Sequence, residues 1–106
     1  MLAKRTLEQL VERIVAVAHP SRIILFGSYG RGNATEDSDV DIMVIKSQVD
    51  NQYEELLSLY QAVGTIGAGV DLLLYSEAEF GRRSKVPGTV LYWAQQEGMS
   101  LYEAAH

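Results

Sequence analysis

The sequence predicts an α+β fold: a small, mixed, twisted sheet of three or more strands with helices packed on one face. Three short apolar runs, rich in β-branched residues, are separated by stretches in which apolar residues recur at helical spacing. The chain has 106 residues, the usual length of one domain, so we expect residues 1–106 to form a single unit. Acidic residues interrupt two of the apolar runs, and we expect them at the rim of the other face.

The N-terminal half predicts one helix, two strands and a long loop. Apolar residues keep helical spacing from about Thr6 to Ala18, shortly before a proline that ends the helix. Residues 23–26 are all apolar and predict a strand that is buried on both faces. Residues 27–38 contain three glycines and predict a loop with at most one helical turn. A loop of this length in so small a domain usually has a function.

The second predicted strand, residues 39–45, alternates in character. Val40, Ile42 and Val44 are expected on one face, and the other face receives Asp41, Met43 and Ile45.

The C-terminal half predicts a helix, a third strand and a last helix. Helical spacing from residue 53 to 63 follows a cap at Asp50 or Asn51, and the glycines between 64 and 69 end that helix. Residues 70–75 predict the third strand. The last helix is expected from residue 88 or 89 to 97. The remaining predicted pieces are a helical turn capped by Ser76 and a tail, Leu101 and Tyr102, that packs back onto the body.

Composition and charge exclude several classes of function. No apolar run approaches the roughly 20 residues that span a bilayer, and the first residues lack the apolar stretch of a secretory signal. Cysteine is absent, which excludes disulfides and thiolate metal sites. We therefore expect a cytoplasmic protein that does not bind membranes. Nine basic residues face fourteen acidic ones, a balance that disfavours binding to duplex DNA, because phosphate contacts need lysine and arginine.

Asp39, Asp41 and Asp71 are the candidate metal ligands. Asp39 and Asp41 lie two residues apart on one predicted strand, so their side chains leave the same face. Two bare carboxylates on one face repel each other, and Mg²⁺ relieves that repulsion because it takes oxygen ligands. Asp71 reaches the same site if its strand lies beside that of Asp41. For each aspartate, the structural alternative is a polar strand start that caps a turn.

Residues 27–32, Gly-Ser-Tyr-Gly-Arg-Gly, are a candidate phosphate-binding loop. Glycine lets backbone N–H groups approach a polyphosphate closely and permits a positive φ. Ser28 can donate its hydroxyl to a phosphate, and Arg31 can contact phosphate or pair with a nearby acid. A tight connection without a ligand is the structural alternative. The pattern matches neither Walker A nor Gly-x-Gly-x-x-Gly.

Together these motifs resemble the polymerase-β-like nucleotidyltransferase superfamily. Gly27–Ser28, ten intervening residues, the acids of Asp39–Asp41 and a later acid, Asp71, are arranged as in that superfamily. The segment 27–32 is similar to the loop of its minimal nucleotidyltransferases, and the resemblance covers most of the chain. It implies a polymerase-β-like fold, two Mg²⁺ ions and ATP or another NTP as substrate.

The resemblance also implies roles for these residues. Asp39 and Asp41 would bind both metals, and Asp71 would help to bind the catalytic one. Gly27 and Ser28, with neighbouring backbone groups and Arg31, would bind the nucleotide phosphates. Two metals stabilise the attacking and leaving oxygens, while Asp71 orients or deprotonates the acceptor hydroxyl.

Members of this group resemble antitoxins that are paired with a helical HEPN-domain toxin and that adenylylate a tyrosine of the toxin. The resemblance therefore implies transfer of AMP from ATP to a hydroxyl of a HEPN-type toxin in a hetero-oligomer. Because one domain is expected, a second chain is expected to supply much of the acceptor site. Two alternatives stay open: a non-catalytic antitoxin that occludes its partner, and transfer to a small molecule such as an antibiotic.

Two further clusters have a less specific interpretation. The basic cluster predicts either a rim for the triphosphate or a partner, or a solvated face; it consists of Arg82, Arg83 and Lys85. The apolar group at the start of the last helix is interpreted as core or interface rather than a platform for a base; it consists of Leu91, Tyr92 and Trp93.

Overall fold

Five helices and four strands make up residues 2–104, the part of the chain that the computed structural model describes. They are α1 (Lys4–Ala18), β1 (Arg22–Phe26), α2 (Gly27–Arg31), β2 (Val40–Lys46), α3 (Gln52–Val63), β3 (Val70–Ser76), α4 (Glu77–Arg83), α5 (Val90–Glu97) and β4 (Met99–Glu103). The predicted ends of α1, α5 and the first three strands lie within two residues of the observed ones. None of the helices in this range is long and apolar enough to span a bilayer.

The four strands form one mixed sheet in the order β3-β2-β1-β4. β1 pairs antiparallel with both β2 and β4, whereas β2 and β3 run parallel. A parallel pair needs a crossover connection, which α3 supplies between β2 and β3. The predicted α+β fold with a mixed sheet of three or more strands is confirmed.

Helices cover both faces of the sheet, which corrects the prediction that they pack on one face. α1 and α3 pack through residues such as Leu10 and Leu59 on the side of β2 that carries Val40, Ile42 and Val44. On the opposite side, Leu91 and Ala94 of α5 pack with Met43 and Ile45, and Phe80 of α4 joins them. The reason is that β1 and β2 are apolar on both sides, so neither face can be left to water.

Local signals placed the starts of α3, α4 and α5 correctly, whereas α1 begins at Lys4, two residues before the predicted Thr6. The side chain of Asn51 accepts a hydrogen bond of 3.0 Å from the backbone N–H of Glu54, and Ser76 caps α4 in the same way. Thr89 accepts from the N–H of Tyr92 and begins α5. Each cap satisfies one of the N–H groups that a helix start leaves without an intrahelical partner.

The C-terminal tail packs back onto the body, as predicted, but it does so as a strand. Met99–Glu103 pairs with β1, with a register shift between Ile23 and Ile24. This segment is a strand because its backbone pairs with β1, and not because of an apolar–polar alternation in its own sequence. It forms the edge of the sheet opposite β3.

Candidate active site

Three strand ends meet at one end of the sheet, and they bring the candidate loop and the candidate acids together. Because β1 is antiparallel to β2, the end of β1 lies beside the start of β2; because β3 is parallel to β2, its start lies there too. The register sets Phe26, Asp41 and Asp71 in one row across the three strands. Neighbouring strands lie about 4.8 Å apart, so the side chains of Asp41 and Asp71 leave the same face side by side.

Asp41 packs directly against Gly27, the first residue of the glycine-rich loop. A Cβ atom built on Gly27 would overlap Oδ2 of Asp41, and the φ of Gly27 is +66°, in the left-handed region. The backbone conformation therefore favours glycine at this position, and a larger residue would also force the Asp41 carboxylate to move.

Asp39 has a similar neighbour that the sequence analysis missed. A Cβ on Gly69 would overlap Oδ1 of Asp39, and the carbonyl of Gly69 accepts a hydrogen bond of 2.8 Å from the N–H of Val40. From the sequence, Gly69 was predicted only to help end a helix. Its position two residues before Asp71, at the entry of an acid-bearing strand, is the signal that could have identified it.

The acids form an electrostatically strained group. Burial raises the pKa of the Asp41 carboxyl, and the charges of Asp71 and then Asp39 raise it further. Arg31 acts in the opposite direction, and a hydrogen bond between the Asp41 and Asp71 side chains also raises the pKa of Asp41. Negative charge thus accumulates here with one guanidinium as a partial counterweight. A proton or an added cation relieves it.

The donor set suits a hard divalent cation. All three groups offer carboxylate oxygens, and Mg²⁺ typically takes one or two carboxylates together with waters and substrate phosphates. Within residues 2–104, no three acidic or histidine side chains already converge as a finished metal cage. Asp41 and Asp71 are the adjacent pair, and Asp39 lies one pleat outward on the same side of β2. Such a partial ligand set fits an ion that is shared with a substrate.

Arg31 connects the loop to the last helix. Its guanidinium lies 3.6 Å from the carboxylate of Glu97 in α5, so the predicted pairing with a local acid is present. On the other side of α2, the hydroxyl of Tyr29 accepts a hydrogen bond of 3.2 Å from the N–H of Leu2. Ser28, between these two anchors, is half-buried in the first turn of α2. The loop is therefore held from both sides next to the acids.

The basic cluster is partly engaged in local contacts. Arg83 pairs with Glu79 at 2.9 Å and lies over the ring of Tyr75. Arg82 and Lys85 are exposed. These contacts support a structural use for Arg83 rather than a role for the whole cluster as a rim.

The aromatic group of α5 divides in two. Leu91 is fully buried and belongs to the core, as predicted. Trp93, however, is 50% exposed and lines an open depression of about 510 Å³ beside the loop. The other residues that line it are Phe26, Gly27, Arg31, Val90 and Glu97.

Comparison with known proteins agrees with this geometry. The sequence profile of the family "Polymerase beta, Nucleotidyltransferase" matches residues 8–104. The protein adenylyltransferase MntA of Thermococcus cleftensis is 39% identical over 70 residues, which are 64% of this chain and 69% of that protein.

Two crystal structures of toxin–antitoxin complexes share the fold. One, solved with AMP-PNP, contains a chain that is 24% identical with a TM-score of 0.61, and the match covers 92% of this chain and 73% of that one. The other, a mutant MntA–HpeT complex, gives 22% identity and a TM-score of 0.55 over 97% of this chain and 75% of that one. At these identities the likeness shows the fold. Since the family profile spans nearly the whole sequence, this chain belongs to the polymerase-β nucleotidyltransferase family.

Proposed function

We propose that this chain transfers AMP from ATP to a hydroxyl of a partner protein, with Mg²⁺ as cofactor. The observation that carries the proposal is the row formed by Asp41 and Asp71 on adjacent strands, with the carboxylate of Asp41 against Gly27. A pair of adjacent carboxylates, in which burial and neighbouring charge raise the pKa of Asp41, lies next to a glycine-rich loop. This arrangement matches the needs of phosphoryl transfer, in which positioning and charge stabilisation do most of the work.

Each residue then has a defined part. Asp39 and Asp41, with Asp71, supply the carboxylate oxygens for two divalent ions. When bound, those ions neutralise charge on the attacking and leaving oxygens. Gly27 and Ser28 hold the β- and γ-phosphates through backbone N–H groups and the serine hydroxyl, and Arg31 adds a positive charge beside them.

The reaction balances as a single displacement at the α-phosphorus. The acceptor oxygen forms a bond to the α-phosphorus while the bond from that atom to the bridging oxygen of the β-phosphate breaks, and pyrophosphate leaves. Asp71 orients the acceptor hydroxyl and takes its proton. Asp71 is exposed, so an acceptor on another macromolecule can reach its carboxylate.

We propose a tyrosine of a HEPN-type toxin as the acceptor and a toxin–antitoxin hetero-oligomer as the setting. The support is the similarity to a protein adenylyltransferase and to chains of toxin–antitoxin complexes. Exposure of Asp39 and Asp71 favours a macromolecular acceptor, because the acceptor itself then encloses the site. In this proposal residues 1–106 act as one catalytic domain.

The test uses the protein together with a HEPN-type toxin, ATP and Mg²⁺, followed by intact-mass analysis of the toxin. We expect a mass increase of one or more AMP units with the wild type and none with Asp39→Asn or in the presence of EDTA. An unmodified toxin in the wild-type reaction, or equal modification by Asp39→Asn, would contradict catalysis. A toxin that is bound and inhibited but carries no AMP would identify a non-catalytic antitoxin that acts by occlusion.

A further inference from the structure

The depression beside the loop lies between α2 and α5. Gly27 and Arg31 form its α2 side, and Val90, Trp93 and Glu97 form its α5 side. These three residues of α5 are spaced at i, i+3 and i+7, so they lie along one face of the helix. The adjacent face of α5 packs through Leu91 and Ala94 into the core. The position of this wall is thus set by the fold of the whole domain.

Trp93 is exposed where burial would be expected for so large an apolar side chain. Half of it is accessible, and the neighbouring Val90 is 37% exposed. On its protein side the ring contacts the preceding residue: Tyr92 and Trp93 meet edge to face, with 5.2 Å between the ring centroids. At its far end α5 is connected to α2 by the ion pair between Glu97 and Arg31. An oriented aromatic surface loses little conformational entropy when a flat ligand stacks on it.

We propose that the indole of Trp93 is the platform on which the base of the bound nucleoside triphosphate stacks. This inference rests on the proposed function and adds to it the site of the nucleobase. It replaces the sequence-based interpretation, which favoured core or interface over a platform for a base. The volume of about 510 Å³ falls within the range of small-molecule sites. Val90 supplies a second apolar contact at the same wall.

Sheet order favours the base over the acceptor as the occupant. The strands follow β3-β2-β1, so Asp71, which faces the acceptor hydroxyl, and the loop after β1 lie on opposite sides of Asp41. The depression shares Gly27 and Arg31 with the loop. A base is covalently connected to phosphates held at that loop, whereas an acceptor approaches from the β3 side. The covalent connectivity of the nucleotide and the order of the strands therefore both favour the base, rather than the acceptor, as the occupant of the depression.

Trp93 is the single tryptophan of the chain, so its fluorescence reports on this site alone. Titration with Mg²⁺-ATP is expected to quench the emission, and titration with Mg²⁺-tripolyphosphate, which has the phosphates but no base, is expected to leave it unchanged. In calorimetry, Trp93→Ala is expected to weaken ATP binding by about 5- to 150-fold, the usual effect of losing one base–aromatic stack. The same variant should bind tripolyphosphate as the wild type does, and Trp93→Phe should retain most of the ATP affinity.

Kinetics offers a second measurement, because stacking acts on binding. Trp93→Ala is expected to raise the KM for ATP while kcat at saturating ATP changes little. Tyr53→Ala is the matched control, since Tyr53 is an aromatic residue of α3 that is 75% exposed on the other side of the sheet. It should leave both ligand affinities and the KM unchanged.

The outcomes separate the two proposals. If Trp93→Ala binds ATP as tightly as the wild type, or if tripolyphosphate quenches the emission as ATP does, the base does not stack on Trp93 and the proposed catalysis is untouched. If neither the wild type nor Trp93→Ala binds Mg²⁺-ATP, the proposed function fails and the inference fails with it. Selective quenching by ATP together with the selective loss of affinity would establish the platform.

Discussion

The pKa values of carboxyl groups at the two ends of β2 are shifted in opposite directions. At its C-terminal end, Lys46 forms an ion pair with Glu55, and the carboxylate of Glu55 also accepts 2.7 Å hydrogen bonds from the N–H groups of Asp50 and Asn51. The hydrogen bond from Asn51 is the largest of several effects that lower the pKa of the Glu55 carboxyl. At the N-terminal end, burial and neighbouring acids raise the pKa of Asp41.

The difference separates an acid whose charge is balanced within the chain from one whose charge is not. The charge on Glu55 is balanced within the chain, by an ammonium group and by the start of α3 that it helps to cap. The charge on Asp41 exceeds what Arg31 offsets, so a proton or a bound cation relieves it. Titratable groups held against their ordinary preference are typical of functional sites.

Asp41→Asn is expected to separate activity from stability. Removal of a proposed metal ligand should lower AMP transfer by at least roughly 100-fold, since the loss of an outer-shell partner alone costs about 10- to 100-fold. In EDTA, the free energy of unfolding in urea should stay equal or rise, because the repulsion from Asp71 and Asp39 is relieved. A clear loss of stability would show that the Asp41 charge supports the fold.

Gly27→Ala tests the contact between the loop and the acid, and Gly32→Ala is its matched control. Both glycines have positive φ, +66° and +79°, so each alanine should cost roughly 1–2 kcal/mol of stability. Only the Cβ at Gly27 meets Asp41; nothing lies within 4 Å of the one at Gly32. Gly27→Ala alone should therefore lose about 10- to 100-fold in transfer rate, because displacement by an ångström carries such costs. Equal transfer rates for the two variants would show that the contact between Gly27 and Asp41 does not contribute to catalysis.

Glu55→Gln should have the opposite profile to Asp41→Asn. Loss of the charge weakens the hydrogen bonds at the start of α3 and the pair with Lys46, so we expect a loss of about 1–2 kcal/mol in the free energy of unfolding. Transfer activity should not change. Glu54→Gln removes a charge from the same first turn of α3 at an exposed position and should cost less than about 0.5 kcal/mol. Equal losses for the two variants would assign the effect to the helix dipole instead.

The pH dependence of stability gives the smallest effect, with opposite signs at the two ends. The folded pKa of Glu55 lies below its ordinary 4.5, so its stabilisation is present above that pH and is lost as the pH falls through the folded pKa. For Asp41 the folded pKa lies above 3.8, so in metal-free protein its stabilising contribution is complete below that pH and is lost as the pH rises through the folded value. The free energy of unfolding in urea should be measured as a function of pH around these two pKa values. Glu55→Gln should remove the part that falls as the pH is lowered, and Asp41→Asn the part that falls as the pH is raised. Slopes of the same sign would contradict the contrast.

Much of the fold and of the candidate site could be predicted, because those parts depend on local patterns. The alternation along β2 predicted that Asp41 shares a face with Met43 and Ile45, and that arrangement is observed. Ser76, and Asn51 as one of two candidates, were predicted as caps because their short polar side chains reach N–H groups three residues ahead. The proximity of the glycine loop to the acids followed from spacing and resemblance together.

Tertiary structure alone decided the rest. Asp71 reaches Asp41 only because β3 pairs in parallel with β2 in a register that sets the two acids abreast, and pairing between distant segments leaves no local trace. The packing of Gly69 against Asp39, the strand made by Met99–Glu103 and the second helical layer likewise depend on pairing between distant segments. Periodicity in a sequence records which side of an element is apolar. The neighbour that each side meets, and hence the exposure of Trp93 beside Gly27, is determined only when the whole chain packs.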